Sequence, residues 1–174
     1  NVLSYNPPFC MFSAGGHAED HEDKDTVANI KETGEFVYNM ATWDQREQMN
    51  QTGLIIDREQ DELAQTGLEG IPSNMVAPPR IKGSPVQFEC TLHEIVVLPG
   101  DSKMFVHHAV FGQVVGVHIA DEAISEDGIF EVARARPIAR LGYKDYSWVD
   151  ETNMFQMEKR TPEELIGKPP QAAE

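Results

Sequence analysis

The sequence has few cysteines, few basic residues and no long apolar run. Its two cysteines, Cys10 and Cys90, lie in separate apolar stretches without CxxC spacing, which argues against a disulfide framework and a structural zinc site. The 14 Lys and Arg residues face 29 Asp and Glu residues, and a formal net charge of -15 would repel nucleic acid and anionic membranes. The apolar runs are far shorter than the roughly 20 residues that span a bilayer, and no basic-then-apolar leader opens the chain. We expect a cytoplasmic protein that binds neither nucleic acid nor membrane.

The sequence also lacks the common enzyme signatures. GxGxxG, GxxxxGK[ST], HExxH and GxSxG are all absent, which argues against a Rossmann enzyme, a P-loop enzyme, a zincin and an α/β-hydrolase. The 174 residues, 40% of them hydrophobic, predict one domain with a real core. We therefore predict no catalytic side chain from motifs.

The first half of the chain predicts a mixture of short elements. "FCMFSA" and "EFVYNMAT" are typical of strands, and the preceding "NVLSYNPP" of a loop. "TVANIKETG" predicts a short helix that ends at Gly34, and "TWDQREQMNQT" a second helix with Thr42 or Asp44 as its N-cap. Residues 53–85 predict an irregular, proline-rich excursion with one helical turn at "DELAQTG".

The second half predicts mostly β-structure. "VQFECTLHEIVVL" and "MFVHHAVFGQVVGVHIAD" alternate over long stretches and predict a hairpin, with the two glycines of the second strand as bulges or points of close approach. "ARPIARLGYKDYSWV" predicts a short strand and an aromatic loop, and "TPEELIG" a helix with a capping box at Thr161. The fold class is therefore mainly β with short helices.

The histidines allow two interpretations. His17 and His21 are four residues apart among acids, as in a metal site, but a solvated acidic loop is the more economical interpretation. His107 and His108 are adjacent, so in a strand they face opposite sides and cannot easily share a metal. His118 lies in an apolar strand, where a satisfied core histidine and a pocket or interface residue both remain open. We predict no metal site.

The segment "HEDKDTVAN" places a lysine immediately before a helix. The first backbone N–H groups of the helix, the Thr26 hydroxyl and the Lys24 ammonium would converge on one point, which suits a phosphate group. A solvated lysine in an acidic loop is the alternative. The residues by themselves leave both open.

Six collinear segments carry a resemblance to a known family. They are "NVLSYNPP", "MFSAG", "KDTVANIKETGEFVYNM", "MVAPPRIKGSPVQFEC", "FGQVVGVHI" and "PIARLGYKDY". Together they resemble the flavin reductase-like family of FMN-binding split-barrel proteins, which includes flavoredoxin-like carriers. The resemblance implies a Greek-key split barrel over residues 1–158, followed by a C-terminal arm over residues 159–174. It also implies that further N-terminal strands precede Asn1.

The resemblance implies a site for FMN. Asn1 and Ser4 would lie near the flavin ring and ribityl chain, and Ser13 near the phosphate end. Lys24, Asp25, Thr26 and Asn29 would form the phosphate end itself, with Asp25 capping the helix. From its place in an apolar strand, and not from the resemblance, His118 is predicted to lie near the nicotinamide or at an interface.

The resemblance also implies an activity. It predicts a homodimeric oxidoreductase that binds FMN and transfers reducing equivalents from NADH or NADPH to flavin or a downstream acceptor. A carrier that only exchanges electrons with a redox partner protein and a domain that has lost its flavin are the alternatives.

Overall fold

The protein contains nine strands and five α-helices among its described residues. The computed structural model describes residues 2–15, 23–54, 56–57, 60–102 and 105–166. The strands are β1 (Val2–Tyr5), β2 (Pro8–Gly15), β3 (Glu35–Asn39), β4 (Gly70–Ile71), β5 (Arg80–Ile81), β6 (Val86–Leu98), β7 (His107–Ile119), β8 (Ile138–Gly142) and β9 (Asp145–Trp148). The helices are α1 (Asp25–Thr33), α2 (Arg46–Gln51), α3 (Glu62–Thr66), α4 (Val132–Ala135) and α5 (Pro162–Ile166). The prediction of a mainly β protein with short helices is confirmed.

A five-stranded antiparallel sheet forms the centre of the protein. Its strands lie in the order β1-β2-β7-β6-β3, and β4-β5 and β8-β9 form separate two-stranded sheets. β6 and β7 are both 13 residues long and pair from Val86↔Ile119 to Leu98↔His107, as the alternating pattern of their sequences predicts. The predicted hairpin is therefore confirmed.

Both glycines of β7 lie beside irregularities of the β6–β7 ladder. The register shifts between Glu89 and Cys90, next to the Glu89↔Gly116 pair, and between Leu92 and Glu94, next to the Leu92↔Gly112 pair. A Cβ atom on Gly112 would lie 2.3 Å from Cζ of Phe36, which no real side chain tolerates. Gly112 is therefore a point of close approach between strand and core, as predicted.

The buried core lies on one face of the main sheet. Its members come from β2, α1, β3, β6 and β7, and they are Cys10, Ile30, Phe36, Cys90, Val110 and Val114. The Sγ atoms of Cys10 and Cys90 are 3.5 Å apart, and both thiols are free. Because Cys10 pairs with Gly112 on the strand between them, the missing Gly112 side chain leaves room for the two thiols to meet.

The helices largely follow the sequence signals. α1 ends at Gly34, whose φ of 71° is the left-handed conformation that favours glycine. At α5, Thr161 N–H donates to Glu164 Oε2 at 2.8 Å and Glu164 N–H donates to Thr161 Oγ1 at 3.3 Å, so the predicted capping box is confirmed. α2 begins later than predicted, because Gln45 is its N-cap instead of Thr42 or Asp44.

Two segments that were predicted to be loops form strands, so both predictions are wrong. The segment before Pro7 contains a strand, β1, which pairs with β2 from Val2↔Cys10 to Tyr5↔Pro8. The predicted aromatic loop forms β9, which pairs with β8 through a two-residue turn. In both places the pairing partner directly adjoins the segment in sequence, and this hairpin closure outweighs the local loop signals.

The excursion over residues 53–85 is more regular than predicted. The helical turn at "DELAQTG" is α3, where the Asp61 carboxylate accepts hydrogen bonds from the N–H groups of Leu63 and Ala64. A short hairpin, β4-β5, follows it. Among the described residues, no helix is long and apolar enough to cross a bilayer.

Candidate functional site

The N-terminus of α1 is the centre of the candidate site. Lys24 holds the N-cap position with extended backbone, and its side chain makes no capping hydrogen bond. Asp25, expected to cap the helix, is its first residue, where its charge still favours the positive end of the helix dipole. Val27 and Ile30 anchor the helix in the protein interior, which fixes the direction of the helix axis. The helix therefore presents its N-terminus and Lys24 at a fixed place on the surface.

A small cavity opens at this helix end. Its volume is about 330 Å³, and its lining includes four of the residues expected at the phosphate end, namely Lys24, Asp25, Thr26 and Asn29. The opposite wall comes from residues 52–54 and 60–63. The structure therefore brings together side chains that the sequence placed on one helical turn, and adds a wall that the sequence did not indicate.

The cavity carries more acidic than basic groups. Among the residues that the structure describes, three acids line it, Asp25, Asp61 and Glu62, against one base, Lys24. The Asp61 carboxylate is engaged in capping α3. Burial raises the pKa of Glu62, the Asp25 charge raises it further, and the Lys24 charge acts in the opposite direction. An anion in this cavity would therefore depend on Lys24 and on the helix N-terminus for its stabilisation.

The remaining predicted flavin contacts lie elsewhere or outside the described residues. Ser4 Oγ donates a hydrogen bond to the carbonyl of Pro7 at 2.6 Å and so closes the β1–β2 turn. Ser13 is exposed on β2, where it pairs with Ala109. Neither serine lines the cavity. Asn1 lies outside the described residues, as do His17 and His21.

A larger groove adjoins the cavity. It has a volume of about 1270 Å³ and shares Lys24, Gly53, Leu54 and Glu62 with the cavity. α2 forms one wall and the β8–β9 hairpin forms another. Trp43 and Trp148 line it with their ring centroids 4.5 Å apart, and the Arg46 guanidinium lies 4.1 Å from the Trp43 ring centroid. This aromatic and cationic wall was not predicted from the sequence.

Beneath the excursion, Glu89 is fully buried. Its carboxylate accepts backbone hydrogen bonds from three successive residues, at 2.9 Å from Asn74, 2.5 Å from Met75 and 3.2 Å from Val76. His118 Nε2 lies 2.5 Å from Glu89 Oε1, and Arg80 Nε lies 3.8 Å from the same oxygen. A buried carboxylate needs such partners, since an unpaired one would be too costly to desolvate.

These partners determine the ionisation of Glu89. Burial alone would raise the pKa of its carboxyl group, but the hydrogen bonds from Asn74 and Met75 and the His118 ring outweigh burial and lower the pKa to about 2. Glu89 is therefore a permanent negative charge at neutral pH.

His118 contacts Glu89 rather than either cavity. Val117 and Ile119 are exposed, whereas His118 is half-buried and turned to the opposite face, as strand alternation predicts. Its role near a nicotinamide or at an interface stays a prediction. Within the described ranges, no group of three or more His, Cys, Asp or Glu side chains could hold a metal ion.

Comparison with known proteins shows the family. The family model described as "Flavin reductase like domain" matches residues 1–144. This chain belongs to the flavin reductase-like family. A protein of Aquifex aeolicus is 35% identical over 146 residues, which cover 84% of this chain and 71% of that relative. The family assignment confirms the resemblance carried by the six sequence segments, and it makes the chain a flavin-related oxidoreductase.

Solved structures of the flavin reductase-like family confirm the fold. Nitrilotriacetate monooxygenase component B from Bacillus cereus superposes with a TM-score of 0.81 at 27% identity, covering 90% of this chain and 75% of that one. A split-barrel protein from Shewanella frigidimarina superposes with a TM-score of 0.74 at 24% identity, covering 92% and 75%. The predicted split barrel is therefore confirmed, while the individual site residues stay predictions.

The burial of Glu89 and the aromatic groove of this flavin reductase-like chain were not predicted from the sequence. Glu89 stands between the apolar residues Phe88 and Cys90, so strand alternation predicts that its side chain faces solvent. It is buried instead, because the proline-rich excursion covers it. Trp43 and Trp148 are 105 positions apart, so no local pattern could pair them.

Because Glu89 is buried and hydrogen-bonded, its replacement should destabilise the fold. Replacing Glu89 with Gln turns an amide NH₂ group or a weaker acceptor toward three N–H donors, so we expect a loss of about 3 kcal/mol in the free energy of unfolding at pH 7. Glu69→Gln, which removes an exposed partner of Lys82, should cost less than about 1 kcal/mol. Urea unfolding measures both.

The stability lost in Glu89→Gln should depend on pH. The folded pKa of Glu89 is about 2, below its ordinary value of 4.5, so its stabilisation is complete above pH 4.5 and is lost as pH falls towards 2. The difference between wild type and Glu89→Gln should therefore shrink over this window. If the difference in unfolding free energy stayed constant down to pH 2, the ionised Glu89 carboxylate would not be the source of the stabilisation.

Proposed function

We propose that the chain binds FMN and passes reducing equivalents from NADH or NADPH to flavin or to a downstream acceptor. The observation that carries this proposal is the cavity at the α1 N-terminus, where Lys24, Thr26 and Asn29 meet the positive end of a nine-residue helix. Membership of the flavin reductase-like family supports a flavin as the ligand. Because the sequence contains none of the common enzyme signatures, the chain's own residues are proposed to bind and orient the flavin.

The proposed phosphate contacts have distinct roles. The Lys24 ammonium supplies a full positive charge, the Thr26 hydroxyl a hydrogen bond, and the first N–H groups of α1 an oriented dipole. Asn29 lies one turn further along the helix and lines the same cavity. Asp25 stabilises the helix end and does not contact the anion.

Bound FMN would supply the ring that accepts a hydride from the nicotinamide. Lys24, Thr26 and Asn29 would hold the phosphate end, which would orient the cofactor and lower the entropic cost of bringing the two rings together. In this proposal Asn1 and Ser4 lie toward the ring and ribityl chain, and Ser13 lies toward the phosphate end. His118, held by the buried Glu89 carboxylate, lies toward the nicotinamide or a subunit interface.

A spectrum of the purified protein, followed by addition of NADH or NADPH without oxygen, tests the proposed function. We expect flavin absorbance, either as purified or after FMN is added, and bleaching of that absorbance on addition of the reductant. Bound flavin that neither dinucleotide reduces would instead support a carrier that receives electrons from a partner protein. Protein that takes up no FMN would contradict both.

Lys24 is the residue on which the phosphate site can be tested. A charge-assisted contact to phosphate is worth roughly 1.5–3 kcal/mol, so Lys24→Ala should weaken FMN binding by about ten- to a hundredfold in a fluorescence titration. Thr26→Val should cost less, because the helix N–H groups remain. Riboflavin lacks the phosphate and serves as the control ligand. If Lys24→Ala weakened riboflavin and FMN equally, Lys24 would support the loop rather than bind the phosphate.

We also propose a twofold homodimer. The far end of the β6–β7 hairpin exposes large apolar side chains on both faces, namely Val96, Val97, Leu98 and Phe105. Such a patch is usually covered in a soluble protein, and an isologous contact would cover it on both copies. Light scattering at micromolar concentration with FMN present should give twice the chain mass, and a monomer mass would defeat the proposal.

A further inference from the structure

The groove beside the cavity has a charge opposite to that of the chain. Among the described residues, its lining contains four cationic side chains, Lys24, Arg46, Arg140 and Lys144, against two acids, Glu47 and Glu62. In the whole chain, acids outnumber bases by 29 to 14. An anionic ligand repelled by most of the surface would therefore find its favourable potential here.

The groove also concentrates aromatic side chains. Both tryptophans of the chain and two of its four tyrosines, Tyr143 and Tyr146, line it. Trp43 is covered by Arg46 and by Trp148. Trp148, Tyr143 and Tyr146 remain partly or largely exposed, so their rings can stack on a planar ligand.

The β8–β9 turn carries Tyr143 and Lys144, and the backbone of Tyr143 is strained. Tyr143 has a φ of 47°, in the left-handed region that glycine or asparagine usually occupies in a two-residue hairpin turn. Its side chain is 95% exposed, so burial does not compensate for this conformation. The Arg140 guanidinium donates to the Tyr143 carbonyl at 2.9 Å and supports the turn. Tyr143 and Lys144 both line the groove, and strained backbone conformations cluster at binding sites.

From these observations we infer that the groove binds the adenosine diphosphate half of the nicotinamide dinucleotide. Purine and two phosphates match exposed aromatic faces and a cluster of cations, and a single flavin phosphate at Lys24 leaves Arg140 and Lys144 without an anionic ligand. The groove is continuous with the α1 cavity through Lys24 and Glu62, so a diphosphate seated there would lie beside the proposed flavin phosphate, and the nicotinamide half would extend from it toward the flavin ring. This inference rests on the proposed function, because it assigns the site of the proposed electron donor.

The assignment gives Arg140 and Lys144 a role in binding the phosphates, and Trp148 and Tyr146 a role in stacking the purine. NADH and NADPH share this half, and the 2′-phosphate of NADPH adds one further anion for the same cations. The nicotinamide end makes no contact with these residues. Removing the cations should therefore weaken the binding of the dinucleotides and leave the binding of a nicotinamide mononucleotide unchanged.

The first experiment compares electron donors in the FMN-loaded protein. Arg140→Ala combined with Lys144→Ala should raise KM for NADH and NADPH about ten- to thirtyfold, since each removes a charge-assisted contact at an exposed site. KM for reduced nicotinamide mononucleotide and Kd for FMN should not change. Lys159→Ala combined with Arg160→Ala removes the same charge from an exposed segment outside the groove and is the matched control.

The outcomes separate specific contacts from general effects. Equal changes for the dinucleotides and the mononucleotide would show that the hairpin acts on the flavin or the nicotinamide and would overturn the assignment. Equal changes in the control variant would show a long-range effect of net charge, and would overturn it as well. Unchanged KM for both dinucleotides would have the same consequence.

A second experiment needs neither flavin nor turnover. Because both tryptophans line the groove, titration of flavin-free protein with ADP-ribose should quench the intrinsic fluorescence. The Arg140→Ala and Lys144→Ala double variant should weaken this binding, and the control variant should not. If ADP-ribose binds but NADH does not reduce the protein, the proposed function fails and the site stands. If NADH reduces the protein and ADP-ribose leaves the fluorescence unchanged, the site fails and the function stands.

Discussion

A buried carboxylate holds the irregular part of the chain onto the barrel. Glu89 lies on the central hairpin, is inaccessible to solvent, and accepts hydrogen bonds from three consecutive N–H groups of the excursion. A proline-rich segment has few backbone donors to place in a sheet, so its ordering depends on side-chain acceptors. Two more side chains on β3 accept backbone hydrogen bonds from the excursion. The Ala77 N–H donates to the Glu35 carboxylate, and the Ile81 N–H donates to the Asn39 amide oxygen.

This attachment extends to the proposed binding region. The excursion returns to the barrel through Lys82, whose carbonyl accepts a hydrogen bond of 2.9 Å from the Gln45 side chain. Gln45 is the N-cap of α2, and α2 forms one wall of the groove. The excursion therefore links Glu89 to that wall through hydrogen bonds at residues 74–76 and at Lys82, although Glu89 itself lines neither cavity.

Sequence reasoning succeeded where the signal is local or collinear. The 13-residue alternation of β6 and β7, the Gly34 stop of α1 and the Thr161 capping box each follow from a few neighbouring residues. The placement of Lys24 and Thr26 in one cavity follows from a helix of known direction. The rest depends on pairs of segments far apart in sequence. Glu62 faces Lys24 from α3, and Trp148 packs on Trp43, and neither contact leaves a pattern in a single segment.

The central claim is that a phosphate dianion lies at the N-terminus of α1 despite three acids around the same cavity. Phosphorus NMR of protein-bound FMN over a pH titration tests it directly. A phosphate monoester loses its second proton near pH 6, and Lys24 together with the helix dipole should favour the dianion and lower that pKa. An unchanged or raised pKa would mean that Asp25, Asp61 and Glu62 dominate, or that the phosphate lies elsewhere, and would contradict the account.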